Sequence, residues 1–200
     1  MANVASPYGF TPISDQVGVS PRRVRIPNGI VSGQAGNIFM GTPVTINPAT
    51  GTLLPVTANT QRIFGIFSGV EYTPVGGRPT ESPFWAAGTV WDPTYDFFAW
   101  IFPAWMPSTR FQVQADGSVT QGELGSGFNI TNFAAGNTFT GVSGCTVGAA
   151  GVAAGLQAQF TLTEFYDNTG VTGTIGDAFT DLIVTVAYPQ VGFGGQTSIG

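Results

Sequence analysis

"RIFGIFSGVEY", residues 62–72, carries apolar side chains on both of its alternating sets. Phe64, Ile66, Val70 and Tyr72 fall on one set, and Ile63, Phe67 and Glu71 on the other, with Gly65 and Gly69 among them. A run that is apolar on both sides and too glycine-rich for a helix predicts a central strand covered on each face. The neighbouring run "MGTPVTINPATGTLLPV" (40–56) supplies a hairpin. Val44 and Ile46 pair in pattern with Leu54 and Val56 across the "NPATG" connection, in which Pro48 presets φ and Gly51 can take the positive φ that closes such loops.

The same reading extends along the chain. "RFQVQADGS" (110–118) alternates cleanly, with Phe111, Val113 and Ala115 one way and Gln112, Gln114 and Asp116 the other, and ends in a D-G turn. "LQAQFTLTEFYD" (156–167) and "DLIVTVAY" (181–188) are β-branched or aromatic runs bounded by turn residues. No stretch longer than about ten residues shows helical spacing free of Gly or Pro. The expected class is all-β, a small β-sandwich or barrel-like body with long loops.

At 200 residues the chain reads as one domain with appendages. Residues 1–30, with Pro7, Pro12, Pro21 and Pro27, read as an extended N-terminal arm, and 31–190 as a single β-rich domain. Within that domain, 73–107 mixes six prolines with all four tryptophans and is expected in loops and short edge strands, since Pro cannot donate to a ladder. Residues 122–155 are rich in Gly, Ala and Ser, and 191–200 read as a flexible tail.

Charge is scarce: 8% of residues are charged, against roughly 25% in an ordinary soluble domain. There is no histidine and no lysine, and all six cations are arginines, at 22, 23, 25, 62, 78 and 110. The net charge of −5 speaks against nucleic acid and anionic membranes as partners. A surface this poor in charge is expected to be covered by neighbours in an assembly. "MANVASPYGF" has neither a basic start nor an apolar run, so no secretory leader is expected, and synthesis in a cytoplasm is.

Catalytic chemistry finds few footholds. Without histidine, Ser-His-Asp and Cys-His systems cannot be assembled, and without lysine neither can a Schiff base or a Walker lysine. Carboxylate pairs remain, Glu71 with Glu81 and Asp177 with Asp181, but eleven acids supply near-neighbours by chance. Asp167, Asn168 and Gly170 lack the alternating acids of a calcium loop and read as a turn, and Cys145 among small residues reads as a buried, inert thiol. No catalytic residue, cofactor or metal is expected. The contact candidates are Arg22, Arg23 and Arg25, suited to docking an acidic protein surface, and Trp85, Trp91, Trp100 and Trp105 as interface anchors.

The succession "SPYGFTPI", "GNIFMGTPVTI", "NPATG", "TLLPV", "RIFGIFSGVEY", "SPFWAAGTV", "FQVQADGS" and "GDAFTDLIVTVAYPQ" resembles the head decoration, or cement, proteins of tailed bacteriophages, over about residues 6–190. The resemblance implies a virion structural protein on the outer surface of the capsid, bridging joints between copies of the major capsid protein. It implies a β-tulip-like body with an extended arm, and a homo-oligomer, with a trimer favoured. Two other readings stay open from the residues alone: a carbohydrate-binding head fibre or adhesion module, and a tail or neck component of the virion.

Overall fold

The computed structural model describes residues 5–13, 21–106, 109–153, 156–166 and 175–190. The proposed tail 191–200 and the Asp167–Asn168–Gly170 turn lie outside them. The strands, in chain order, are β1 (Thr11–Ile13), β2 (Val24–Pro27), β3 (Pro43–Ile46), β4 (Leu53–Pro55), β5 (Gly65–Tyr72), β6 (Thr80–Ser82), β7 (Phe98–Pro103) and β8 (Arg110–Gln114). They continue with β9 (Gly127–Phe128), β10 (Ile130–Thr131), β11 (Gly136–Asn137), β12 (Val142–Ser143), β13 (Thr146–Val147), β14 (Phe160–Phe165) and β15 (Asp181–Val186). The first sheet runs β1-β8-β15-β14-β9 and the second β2-β7-β5-β3-β4, with β6 also on β5. Two small ribbons, β10-β13 and β11-β12, complete an all-β, sandwich-like body.

The strand read from residues 62–72 is central. β7 lies along one edge of β5, while β3 and β6 share the other, one at each end. Both of its faces are covered. Ile66 joins a core between the two sheets, with Phe111, Val113, Phe128, Phe160, Leu182 and Val184 from the first sheet. Phe67 and Val70 join a second core on the far side of the second sheet. Strict alternation would have placed Ile66 and Val70 together. A bulge between Phe67 and Gly69 inserts Ser68 and inverts the parity of everything after it. Gly69 at φ 130° makes the bulge possible, because a Cβ there would meet the Ser82 carbonyl oxygen at 2.8 Å.

The second core is roofed by irregular chain. Ile30, Ile38, Trp85 and Phe97 cover Val44, Leu53, Ala99 and Ile101 of the sheet. Ile38 and Trp85 exchange backbone hydrogen bonds at 3.0 and 2.8 Å, which ties the two roofing loops together. Trp85 and Phe97 meet edge to face at 5.6 Å, and Tyr72 meets Trp85 similarly at 5.4 Å. Each such ring removed from water contributes about 1.5–3 kcal/mol, enough for loops without ladders to hold their place.

Three expectations are revised. The hairpin forms, and Gly51 has φ 71°, but Val44 pairs with Pro55 and Ile46 with Leu53, one residue away from the expected register. Leu53, fully buried beside Val44, is the inward residue, because the Asn47 carbonyl caps the turn at Gly51 and the Asn47 amide closes on Thr52. Within 73–107, residues 98–103 form an interior strand rather than loop or edge; only Pro103, at its end, lacks an N–H. Finally, much of the proposed arm is bonded into the body: β1 pairs with β8 and β2 with β7, each at the margin of its sheet. Phe10 is buried and stacks on Phe160 at 4.5 Å, while the Tyr8 hydroxyl donates to Asp181 at 3.0 Å.

Candidate functional site

β2 alternates apolar and cationic residues, "VRIP" following Arg23, and this decides which face each side chain takes. Val24 and Ile26 pack on the second core. Arg25 stands on the opposite face, directly across from Trp100 of β7. β7 alternates in the same way: Ala99 and Ile101 are buried in the second core, and Phe102 packs on the core between the sheets. Trp100 and Phe98, further along that side, are only partly buried.

On this uncovered end the side chains form a graded surface. The Arg23 guanidinium lies over the Trp100 ring at 5.0 Å and that of Arg25 over the Phe98 ring at 3.9 Å. Each arginine thus leans one register along the strand, and the stacking fixes two otherwise mobile side chains. Across β7, the Trp100 indole N–H donates to Glu71 Oε1 at 2.8 Å, and Glu71 is the cross-strand partner of Phe98. Glu81 on β6 faces Glu71 directly, a like-charge pair that costs stability when no cation lies between. These carboxylates and Asp96 line an open groove of about 460 Å³ with Tyr95 and Phe98. Tyr95 is 56% exposed.

The face is therefore positive along β2, aromatic along β7 and negative along β5 and β6. Among the described residues the ion pair joins Arg110 of β8 to Glu164 of β14, at 2.9 Å, on the first sheet. Arg22, Arg23 and Arg25 are exposed and have no carboxylate partner there. Beside Arg23 an apolar hollow of about 520 Å³ opens between the sheets, lined by Phe10, Met40, Phe67, Phe102 and Val142.

Of the seven contact candidates, the structure brings Arg23, Arg25 and Trp100 together, with Arg22 beside them just before β2. Trp85 is fully buried in the second core and cannot anchor a partner, a correction to its reading as an interface residue. Trp91 donates its indole N–H to the Ile30 carbonyl at 3.2 Å, and Trp105 packs at a tilt on Phe64 at 4.8 Å; both support that same core. Phe98, Tyr95 and Asp96 were not singled out from sequence. The meeting of Glu71 with Glu81 had a legible signal in the turn "TPVGG" between them, where Gly76 has φ 70° and the Gly77 amide bonds the Pro74 carbonyl.

Chemically, the arrangement offers charge and flat aromatic surface. Glu81 is exposed and Glu71 half-buried, so the pair sits in an open groove and not in a closed cleft. Among the described residues there is no cluster of three or more His, Cys, Asp or Glu able to hold a metal ion. Cys145 is buried, its thiol pushed up by burial and directed to the Phe133 carbonyl at 3.4 Å. Among the same residues no helix is long and apolar enough to cross a membrane. In comparisons with protein-family models, curated proteins and solved structures, nothing matches this chain.

Proposed function

We propose that this protein is a non-enzymatic structural protein of a tailed-phage virion, a decoration protein that binds the outer surface of the head and stabilises it across joints between major capsid subunits. The observation that carries the reading is the pair Arg23, just before β2, and Arg25, on it: fixed on aromatic rings, exposed, and without an acidic partner among the described residues of their own chain. In a chain with so few charges, such a pair fits a complementary acidic protein surface. The motifs that resemble the cement family fall on β1, the hairpin, β5, the loop that holds Trp85, β8 and β15, and so on the scaffold around β2 and β7 and not on the arginine row itself. Stabilisation follows from mass action, since a ligand that binds only the assembled shell lowers the free energy of that state. Ring faces on Trp100 and Phe98 already carry guanidinium groups, which disfavours sugar stacking there.

The test is capsid binding by the variant Arg22→Ser/Arg23→Ser/Arg25→Ser. The reading predicts that heads decorated with the native chain resist heat better than bare heads, and that the variant loses both occupancy and protection. Full occupancy and full protection by the folded variant would refute the role of the arginine row.

A further inference from the structure

We propose that the apolar hollow beside Arg23 is a socket for one bulky apolar side chain of the capsid shell, and that this side chain stands next to a carboxylate that meets Arg23. The inference rests on the proposed function and deepens it, since the occupant is the same shell that meets the arginines. It states what the shell must bring to that contact: an acidic residue with a large apolar neighbour.

The hollow measures about 520 Å³ and is walled by Phe10, Met40, Phe67, Phe102 and Val142. That size lies within the roughly 300–1,000 Å³ of sites that take up organic groups. Phe67 and Phe102 come from β5 and β7, and Phe10 from the chain that enters β1. Met40 and Val142 are joined to each other by a parallel bridge. These walls are held from behind. Phe10 stacks on Phe160 at 4.5 Å. The Phe10 amide donates to the Gly41 carbonyl at 2.9 Å, and the Gly41 amide donates to the Phe67 carbonyl at 2.8 Å. A preformed cavity costs little ordering when a partner enters it. Met40, 39% exposed, is the wall able to adapt its shape.

Arg23 supplies the charge at the rim. Its guanidinium lies over the Trp100 ring at 5.0 Å, and a stacked guanidinium keeps its in-plane N–H donors for a carboxylate. No ion pair joins Arg23 to an acid among the described residues. The hollow is continuous with the surface of Arg23 and Trp100, so a shell that meets these residues also reaches its mouth. Hollow and rim together ask for a large apolar group and an anion side by side. In a protein partner these are an aromatic or large aliphatic residue beside Asp or Glu, an anchor seated in a pocket at the centre of the contact.

The test compares binding to heads by the native chain, by Met40→Trp and by Val142→Phe. The two variants fill the hollow from different walls and leave every arginine in place. Circular dichroism and melting curves establish that each is folded. Each is expected to bind heads at least tenfold more weakly than the native chain. If the native chain binds and Arg22→Ser/Arg23→Ser/Arg25→Ser does not, native-like binding by either folded filling variant overturns the socket and leaves the capsid reading standing. A native chain that does not bind heads overturns both. If the filling variants do not fold, a photo-crosslinker at the rim, Thr11→p-benzoylphenylalanine, carries the test. Mass spectrometry of irradiated, decorated heads is expected to find it joined to a major capsid segment in which a large apolar residue adjoins Asp or Glu. Joining to a second copy of this chain, to residues 14–20 of the same chain, or to a capsid segment without such an acid overturns the proposal.

Discussion

The two faces of β7 contrast sharply over six residues. On one, Ala99 and Ile101 are wholly buried under a roof of loops that includes Trp85 and Phe97. On the other, Phe102 is covered by the opposing sheet, while Trp100 and Phe98 emerge from it, roofed only by two arginines. One strand thus serves the fold with one face and leaves part of the other only partly covered. Tryptophan occurs on both sides, at 85 and at 100, and burial separates their roles where residue type does not.

The largest expected effect breaks this contrast on the buried side. Trp85→Ala should cost about 3–5 kcal/mol in chemical denaturation, since it opens a cavity that the loops cannot refill. Trp100→Ala should cost far less in folding, on the order of 1 kcal/mol for the indole bond and the cation–π contact. It should nevertheless abolish association with a partner. Equal losses of stability from the two changes would erase the distinction.

An effect of intermediate size concerns the segment that leads into β1. Asp181 is buried, and burial raises its pKa, partly opposed by the hydrogen bonds from Tyr8 and Gln114. Tyr8 is pushed upward too, by burial and then by the Asp181 charge, so it remains the donor. A carboxyl raised on folding binds its proton more tightly in the folded state, so its contribution is present at low pH and is lost as pH rises through the folded value. The denaturation midpoint of the native chain should carry this downward slope above the ordinary carboxylate range. Asp181→Asn, which still accepts from Tyr8, should flatten it; an unchanged slope would remove Asp181 as its source.

A smaller effect is expected at the margin of the hairpin. The Gln190 side chain acts as a strand partner for Ile46: its Oε1 accepts from the Ile46 amide at 2.6 Å and its Nε2 donates to the Ile46 carbonyl at 2.8 Å. Gln190→Ala should cost about 1 kcal/mol and speed hydrogen exchange at the Ile46 amide, leaving the arginine face unaffected.

Much of the scaffold was legible because β8 alternates in period two and β14 and β15 are β-branched or aromatic runs bounded by turn residues. β8, β14 and β15 fall inside the runs read from sequence, and Phe111, Val113 and Ala115 are buried as their alternation requires. β7 was obscured by its surroundings, since the prolines that argued against a strand lie at its end or outside it. The Ser68 bulge left no mark beyond Gly69, so the parity change in β5 was invisible. Trp85 carries no periodic signal, because the chain that holds it makes only a single bridge, to Ile38. At the candidate site, Arg23 and Arg25 were readable as an i, i+2 pair on a strand. Their stacking on Trp100 and Phe98 depends on the pairing of β2 with β7, about 75 residues away, which local pattern does not encode.

The central claim is that the face bearing Arg23, Arg25 and Trp100 joins a virion shell, and a density map of heads decorated with the protein tests it most directly. The account predicts the chain on the outer head lattice, over joints between major capsid subunits, with this face buried in contact. A chain located at the tail or neck, or seated on the head with Arg23, Arg25 and Trp100 open to solvent, would contradict it.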